Sequence, residues 1–209
     1  RLTPVQVPGL SGVVAIATGL HHSLAVRGDG TVWAWGYNFY GQLGDGTKTQ
    51  RLTPVQVPGL GGMVSVAAGT YHSLAIHADG TVWSWGYNNY GQLAEGTLTL
   101  RLSPGLVPGL SGVISADASW SSLAVRMDGT LAAWGSNNTS QLGDGSTTDQ
   151  RAPVASSVPT SMRSVSSGSN HSLALRADGT VWAWGFGNYG QIGDGVPSMQ
   201  LVPARVSSF

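Results

Sequence analysis

The apolar positions of this chain come in short runs. "SLAV" (Ser23–Val26) and "TVWAW" (Thr31–Trp35) are each a few residues long and rich in β-branched and aromatic side chains, which marks them as strands. The loop between them ends in Asp29-Gly30, a pair suited to a tight hairpin because glycine takes a positive φ without strain. "VVAIA" (Val13–Ala17) predicts a third strand. "TPVQV" (Thr3–Val7) predicts a fourth, and its proline suits a sheet edge, where a missing N–H costs little. No stretch carries helical periodicity with caps. Trp33 and Trp35 fall on one face of their strand. Together with Trp83/Trp85 and Trp182/Trp184 they are expected to pack between neighbouring sheets.

The same pattern returns along the whole chain. An anchor proline recurs at Pro4, Pro54, Pro104, Pro153 and Pro203. The Asp-Gly pair recurs at Asp29, Asp79, Asp128 and Asp178, and the second tryptophan at Trp35, Trp85, Trp134 and Trp184, each followed by glycine. One repeat domain therefore fills residues 1–209, with units at about 1–50, 51–100, 101–149 and 150–199 and the start of a fifth at 200–209. Four short antiparallel strands per unit of about 50 residues predict an all-β fold, a β-propeller with one blade per unit. The first element of the unit occurs five times and every other element four times. The chain is accordingly read as a segment of a longer array, with self-association of copies or a closed four-blade ring as the other readings.

Composition removes several classes of function. Lys and Arg number 10, Asp and Glu number 10, and the formal net charge is zero. The single lysine, Lys48, and nine scattered arginines cannot build the basic face that nucleic acid or an anionic membrane surface requires. No apolar run approaches the length of a membrane-spanning helix. Cysteine is absent, so no disulfide framework or thiolate chemistry is available. "GQLGDG" (Gly41–Gly46) lacks the Lys-Ser/Thr of a phosphate loop and opens no helix.

The string "GLHHSLAVRGDGTVWAWGYNFYGQLGDGT" resembles the repeat of the RCC1 (regulator of chromosome condensation) family, and it does so four times across the chain. The resemblance implies a β-propeller, usually of seven blades. Members include the eukaryotic Ran exchange factor and secreted bacterial propellers that bind and inhibit enzymes. Four units are fewer than the family norm. The resemblance, the low charge and the preference for Arg over Lys lead us to expect a bacterial, extracellular or cell-surface protein.

Positions repeated in every unit read as scaffold. Gly36, Gly86, Gly135 and Gly185 are expected at close turns. His22, His72 and His171 share one position, where the third unit has Ser121. They read as buried hydrogen-bonding residues, not metal ligands, and His77 as solvated. Asp45, Asp144 and Asp194 read as turn formers, with Glu95 at the same position. Asp117 stands where other units carry Ala or Ser and reads as local decay of the repeat. No catalytic constellation, metal site or cofactor motif stands out.

Two loops vary while their flanks stay constant. The first carries His21, Tyr71, Trp120 and Asn170. The second carries Phe39-Tyr40, Asn89-Tyr90, Asn138-Thr139 and Asn188-Tyr189. Aromatic and amide side chains on rigid loops give large contact area at low entropic cost. The resemblance implies the same use, since loops of this kind carry the partner contacts of inhibitor members. The leading expectation is a non-catalytic propeller that binds a protein partner through one loop face. An architectural, self-assembling module is the alternative, and a sugar-binding or enzymatic propeller with an axial site is the third reading.

Overall fold

The computed structural model describes residues 2–206. They form sixteen strands and no helix, arranged as four antiparallel four-stranded sheets. Blade 1 is β1 (Val13–Thr18), β2 (His22–Arg27), β3 (Val32–Gly36) and β4 (Arg51–Gln56). Blade 2 is β5 (Met63–Ala68), β6 (His72–His77), β7 (Val82–Gly86) and β8 (Arg101–Leu106). Blade 3 is β9 (Val113–Ala118), β10 (Ser121–Arg126), β11 (Leu131–Gly135) and β12 (Gln150–Ala155). Blade 4 is β13 (Met162–Ser167), β14 (His171–Arg176), β15 (Val181–Gly185) and β16 (Gln200–Arg205). The fold is an all-β propeller segment of four blades.

The blade is offset from the sequence unit. Thr3–Val7 was expected to be the fourth strand of the first unit, yet residues 2–10 contain no strand. The equivalent segment Arg51–Gln56 pairs back onto β3 of the preceding unit, with Ala34 opposite Val55 and Gly36 opposite Arg51. The reason lies in hydrogen bonding. The outer edge of β3 is open after Gly36, and the chain returns through residues 37–50 to fill it. Among the described residues no third strand precedes the N-terminal copy. Pro54 sits on the outermost strand of its sheet, as its missing N–H requires.

Within a blade the turns follow from the glycines. In the β2–β3 hairpin, Gly30 has φ 78° and its N–H reaches Arg27 O at 2.8 Å. Asp29 Oδ1 accepts from Thr31 N at 3.0 Å and Thr31 Oγ1 at 2.6 Å, which closes the loop. Gly36 has φ 107°, and a Cβ there would lie 2.5 Å from the carbonyl oxygen of His21. The chain can therefore leave β3 beneath the first variable loop only as glycine.

The core lies between blades. Three apolar clusters fill the three joints, one per pair of neighbours. In the first, Leu24, Val26, Val32 and Leu43 of blade 1 pack against Met63, Val66, Ala75 and Trp85 of blade 2. The polar part of the joint repeats atom for atom. Gln42 O accepts from Ser73 Oγ at 2.7 Å and from Trp85 Nε1 at 2.9 Å. Gln92 O accepts from Ser122 Oγ at 3.2 Å and Trp134 Nε1 at 2.8 Å. Gln141 O accepts from Ser172 Oγ at 2.8 Å and Trp184 Nε1 at 2.7 Å. The three tryptophans are fully buried. An indole N–H in such a place must find an acceptor, and the backbone of the preceding blade provides it.

The histidines complete the joint. His22 Nε2 meets Ser73 Oγ at 3.0 Å, and His72 Nε2 meets Ser122 Oγ at 2.8 Å. Burial lowers His22 to about 4 and His72 to about 3, so both are neutral near pH 7. The reading as buried hydrogen-bonding residues agrees with the geometry for His22 and His72, whereas His171 is only half-buried. Blade 3 has Ser121 at this position. The joint between blades 3 and 4 is instead bridged by Asp117, whose Oδ2 accepts from Ser167 N at 2.8 Å and whose Oδ1 accepts from Ala118 N at 2.9 Å. Burial raises its pKa. Asp117 is thus a local clamp where the repeat lacks its histidine, and not a decayed position.

Successive inner strands pack side by side, β1 on β5, β5 on β9 and β9 on β13. No comparable packing joins β13 to β1 among the described residues. The four blades form an open arc.

Candidate partner-binding face

The two variable loops of each blade rise on the same side of the arc, and the second loop of one blade meets the first loop of the next. Tyr40 lies 5.0 Å from Tyr71, ring centre to ring centre, and Tyr90 lies 5.9 Å from Trp120. At the third joint the same meeting is polar: Thr139 Oγ1 donates to Asn170 O at 3.2 Å. This spacing follows from the joint below. The carbonyl of Gln42 is fixed against Ser73 and Trp85, and Gln42 Oε1 accepts from Tyr40 N at 3.0 Å. Gln92 and Gln141 hold Tyr90 N and Thr139 N in the same way.

The result is a continuous aromatic seam over blades 1 to 3. It runs from His21 through Tyr37, Phe39, Tyr40, Tyr71, Tyr87 and Tyr90 to Trp120. The tightest pairs are Tyr40–Tyr87 at 4.9 Å, Tyr40–Tyr71 at 5.0 Å and Phe39–Tyr40 at 5.2 Å. Most pairs meet edge to face, the arrangement ring quadrupoles favour. Phe39 and Tyr90 are exposed, and Tyr37, Tyr40, Tyr71, Tyr87 and Trp120 are half-buried. Lys48 Nζ lies 6.0 Å above the Phe39 ring. Burial, with Tyr90 and Tyr40 beside it, raises the Tyr87 phenol pKa.

The candidates divide accordingly. His21, Phe39, Tyr40, Tyr71, Tyr90 and Trp120 belong to the seam. Asn89, Asn138, Asn170 and Asn188 are exposed on the same loops. Tyr189 is 89% exposed and stands apart on blade 4, with Phe186 at 5.7 Å. Tyr37 and Tyr87 went unrecognised in the sequence. They follow the constant Trp-Gly step, and their apparent constancy hid them, although Ser136 and Phe186 at the equivalent positions show that the position varies.

The rest of the arc offers less chemistry. A concavity of about 310 Å³ at the ends of the inner strands is lined by uncharged residues, all small but Leu20, among them Gly19, Gly69, Ser119 and Gly168. No group of three or more His, Cys, Asp or Glu side chains converges among the described residues. The loop carboxylates are committed to turns. Asp45 Oδ1 accepts from Thr47 N at 3.0 Å, and its Oδ2 pairs with Arg51 at 2.7 Å. Glu95 does the same with Arg101 at 3.0 Å. His77, read as solvated, is one-third exposed and pairs with Asp79 at 2.9 Å.

Comparison with known proteins agrees with this architecture. Prp20p from Saccharomyces cerevisiae, described together with its binding to Gsp1p and histones, superposes with a TM-score of 0.88 at 28% identity; the alignment covers all of this chain and 54% of that one. Human WBSCR16 superposes with a TM-score of 0.81 at 28% identity, over 92% of this chain and 51% of that one. A 46-residue stretch is 56% identical to the human E3 ubiquitin-protein ligase HERC2, which is 21% of this chain and 1% of HERC2. The chain thus spans about half the length of its solved relatives and a small part of its sequence relatives. The family model described as the RCC1-like domain matches residues 1–209, and the chain belongs to that family.

Proposed function

We propose that this chain is a non-catalytic recognition module that binds a protein partner through the aromatic seam. The observation that carries this reading is the continuity of the seam. Eight aromatic or imidazole rings, contributed by three blades, meet on the loops that vary between repeats. A rigid platform of this kind offers contact area with little side-chain entropy to lose. Protein partners also fit what is described for Prp20p, which binds Gsp1p and histones and has been seen bound to Kap60. The seam is aromatic, so a partner would meet it through aliphatic and aromatic side chains with hydrogen bonds from the tyrosine hydroxyls. An extracellular or surface location remains part of the proposal and rests on the low charge.

The test is site-specific photo-crosslinking in the native host. A benzophenone side chain is placed at Asn89, beside the seam, and in a second protein at Met127, an exposed residue of a β-hairpin turn. The proposal expects one partner band from position 89, lost when Tyr71 and Trp120 are both changed to Ser. A band from position 127 alone would overturn it.

A further inference from the structure

The seam gathers its closest tyrosines at one internal joint. Tyr40, on the second loop of blade 1, lies 4.9 Å from Tyr87 and 5.0 Å from Tyr71 of blade 2, ring centre to ring centre. The ring planes are tilted by 66° and 53°. The other tyrosine pairs of the seam are 6.1–6.4 Å apart. The backbone holds the three rings in place. Gln42 Oε1 accepts from Tyr40 N at 3.0 Å, and Tyr71 O accepts from Tyr87 N at 3.0 Å.

Three phenols in contact have a chemistry of their own. A phenol yields one electron and its hydroxyl proton to a one-electron oxidant, and two phenoxyl radicals held ring against ring couple through carbon. The chain has no cysteine to take up the oxidant first. Tyr90 is 37% exposed and lies 6.1 Å from Tyr87, which gives an oxidant in solution an entry to the cluster.

We propose that Tyr40 is a site of oxidative cross-linking, joined as dityrosine to one of its blade 2 neighbours, Tyr87 or Tyr71, and that the bond staples blade 1 to blade 2. The oxidant is hydrogen peroxide acting through a haem peroxidase. Each phenol loses one electron and its hydroxyl proton. A carbon–carbon bond forms between one Cε atom of each ring, beside the hydroxyls. The hydrogen on each of those carbons moves to the phenolic oxygen as the ring regains aromaticity. Two tyrosines and one peroxide thus give one dityrosine and two waters. The new bond closes a long loop of chain, which restricts the unfolded state far more than the folded one. Coupling needs only the rings and the oxidant, so it is independent of any partner.

Peroxide and a haem peroxidase, added to the dilute purified chain, test this. The expected product is a single chain that has lost two hydrogens and carries dityrosine fluorescence. Trypsin cuts after Arg27, Lys48, Arg51 and Arg101, so the link is expected between peptides 28–48 and 52–101. Fragmentation of that pair by mass spectrometry is expected to place the link at Tyr40 in the unaltered chain. Tyr40→Phe, which keeps the ring, is expected to abolish the link, and Tyr37→Phe to leave it. Tyr71→Phe and Tyr87→Phe are each expected to leave a link to the remaining neighbour, and the two together to abolish it. The linked chain is expected to unfold at a higher denaturant concentration than the untreated one. A link that persists in Tyr40→Phe, coupling only between separate chains, or an unfolding midpoint unchanged by the link overturns the proposal.

Discussion

The joint between blades 1 and 2 and the joint between blades 2 and 3 are built from the same atoms: a glutamine carbonyl, a serine hydroxyl, an indole N–H and a histidine. The loop tips directly above them share a backbone but not their side chains. Leu20-His21 becomes Thr70-Tyr71 and then Ser119-Trp120. The lower layer leaves little freedom, because Gln42 O is bonded by both Ser73 Oγ and Trp85 Nε1, and losing the acceptor leaves two buried donors unsatisfied. The upper layer only has to cover the joint and face outward. What is repeated builds the arc, and what varies is free to recognise.

The comparison breaks most sharply at the tryptophans. Trp85→Ala should cost about 3–5 kcal/mol, since it empties a fully buried joint, whereas Trp35→Ala at the open face should cost less than about 2 kcal/mol. Denaturant unfolding of the two variants measures the difference. Acid is the next test. His22 and His72 are held neutral in the folded state, so the unfolded chain binds their protons first as pH falls below 6.5. Their contribution is complete above that pH. It is lost on the way down towards about 4 for His22 and about 3 for His72, at about 1.4 kcal/mol per histidine per pH unit. His72→Ser, copying blade 3, should flatten that decline in a series of unfolding curves.

A finer test sets Ser73 against Ser23. Ser73→Ala removes the partner of His22 inside a joint and should cost about 1–3 kcal/mol. Ser23→Ala lies at the open face and should change stability by less than about 0.5 kcal/mol. Smallest of all are the exposed loop amides. Asn89→Ala and Asn188→Ala should stay within about 0.5 kcal/mol of the parent in thermal melts.

Much of the lower layer was legible in the sequence. Repetition of Trp35, Gly36, Asp29 and Gln42 through the units announced strands, turns and a blade, and the shared histidine position announced a buried hydrogen bond. The blade boundary was not legible. Thr3–Val7 precedes Val13–Ala17 in sequence, but strands of this type pair backwards across a long loop, and hydrogen-bond partners of that separation leave no local mark. The role of the Gln42 carbonyl was equally hidden, since a backbone acceptor has no side-chain signature. Of the seam, the variable members were legible. Tyr37 and Tyr87 were masked by the constant Trp-Gly step before them, and Asp117 showed its purpose only once Ser167 stood opposite.

The central claim is that joints build and the seam recognises. The measurement that tests it most directly is a binding titration of the crosslinked partner against Tyr71→Ser/Trp120→Ser, paired with an unfolding curve of the same protein. The account predicts a loss of affinity of at least about tenfold, equal to about 1.4 kcal/mol, with all three joints still cooperative in unfolding. Unchanged affinity in a folded double variant would contradict it.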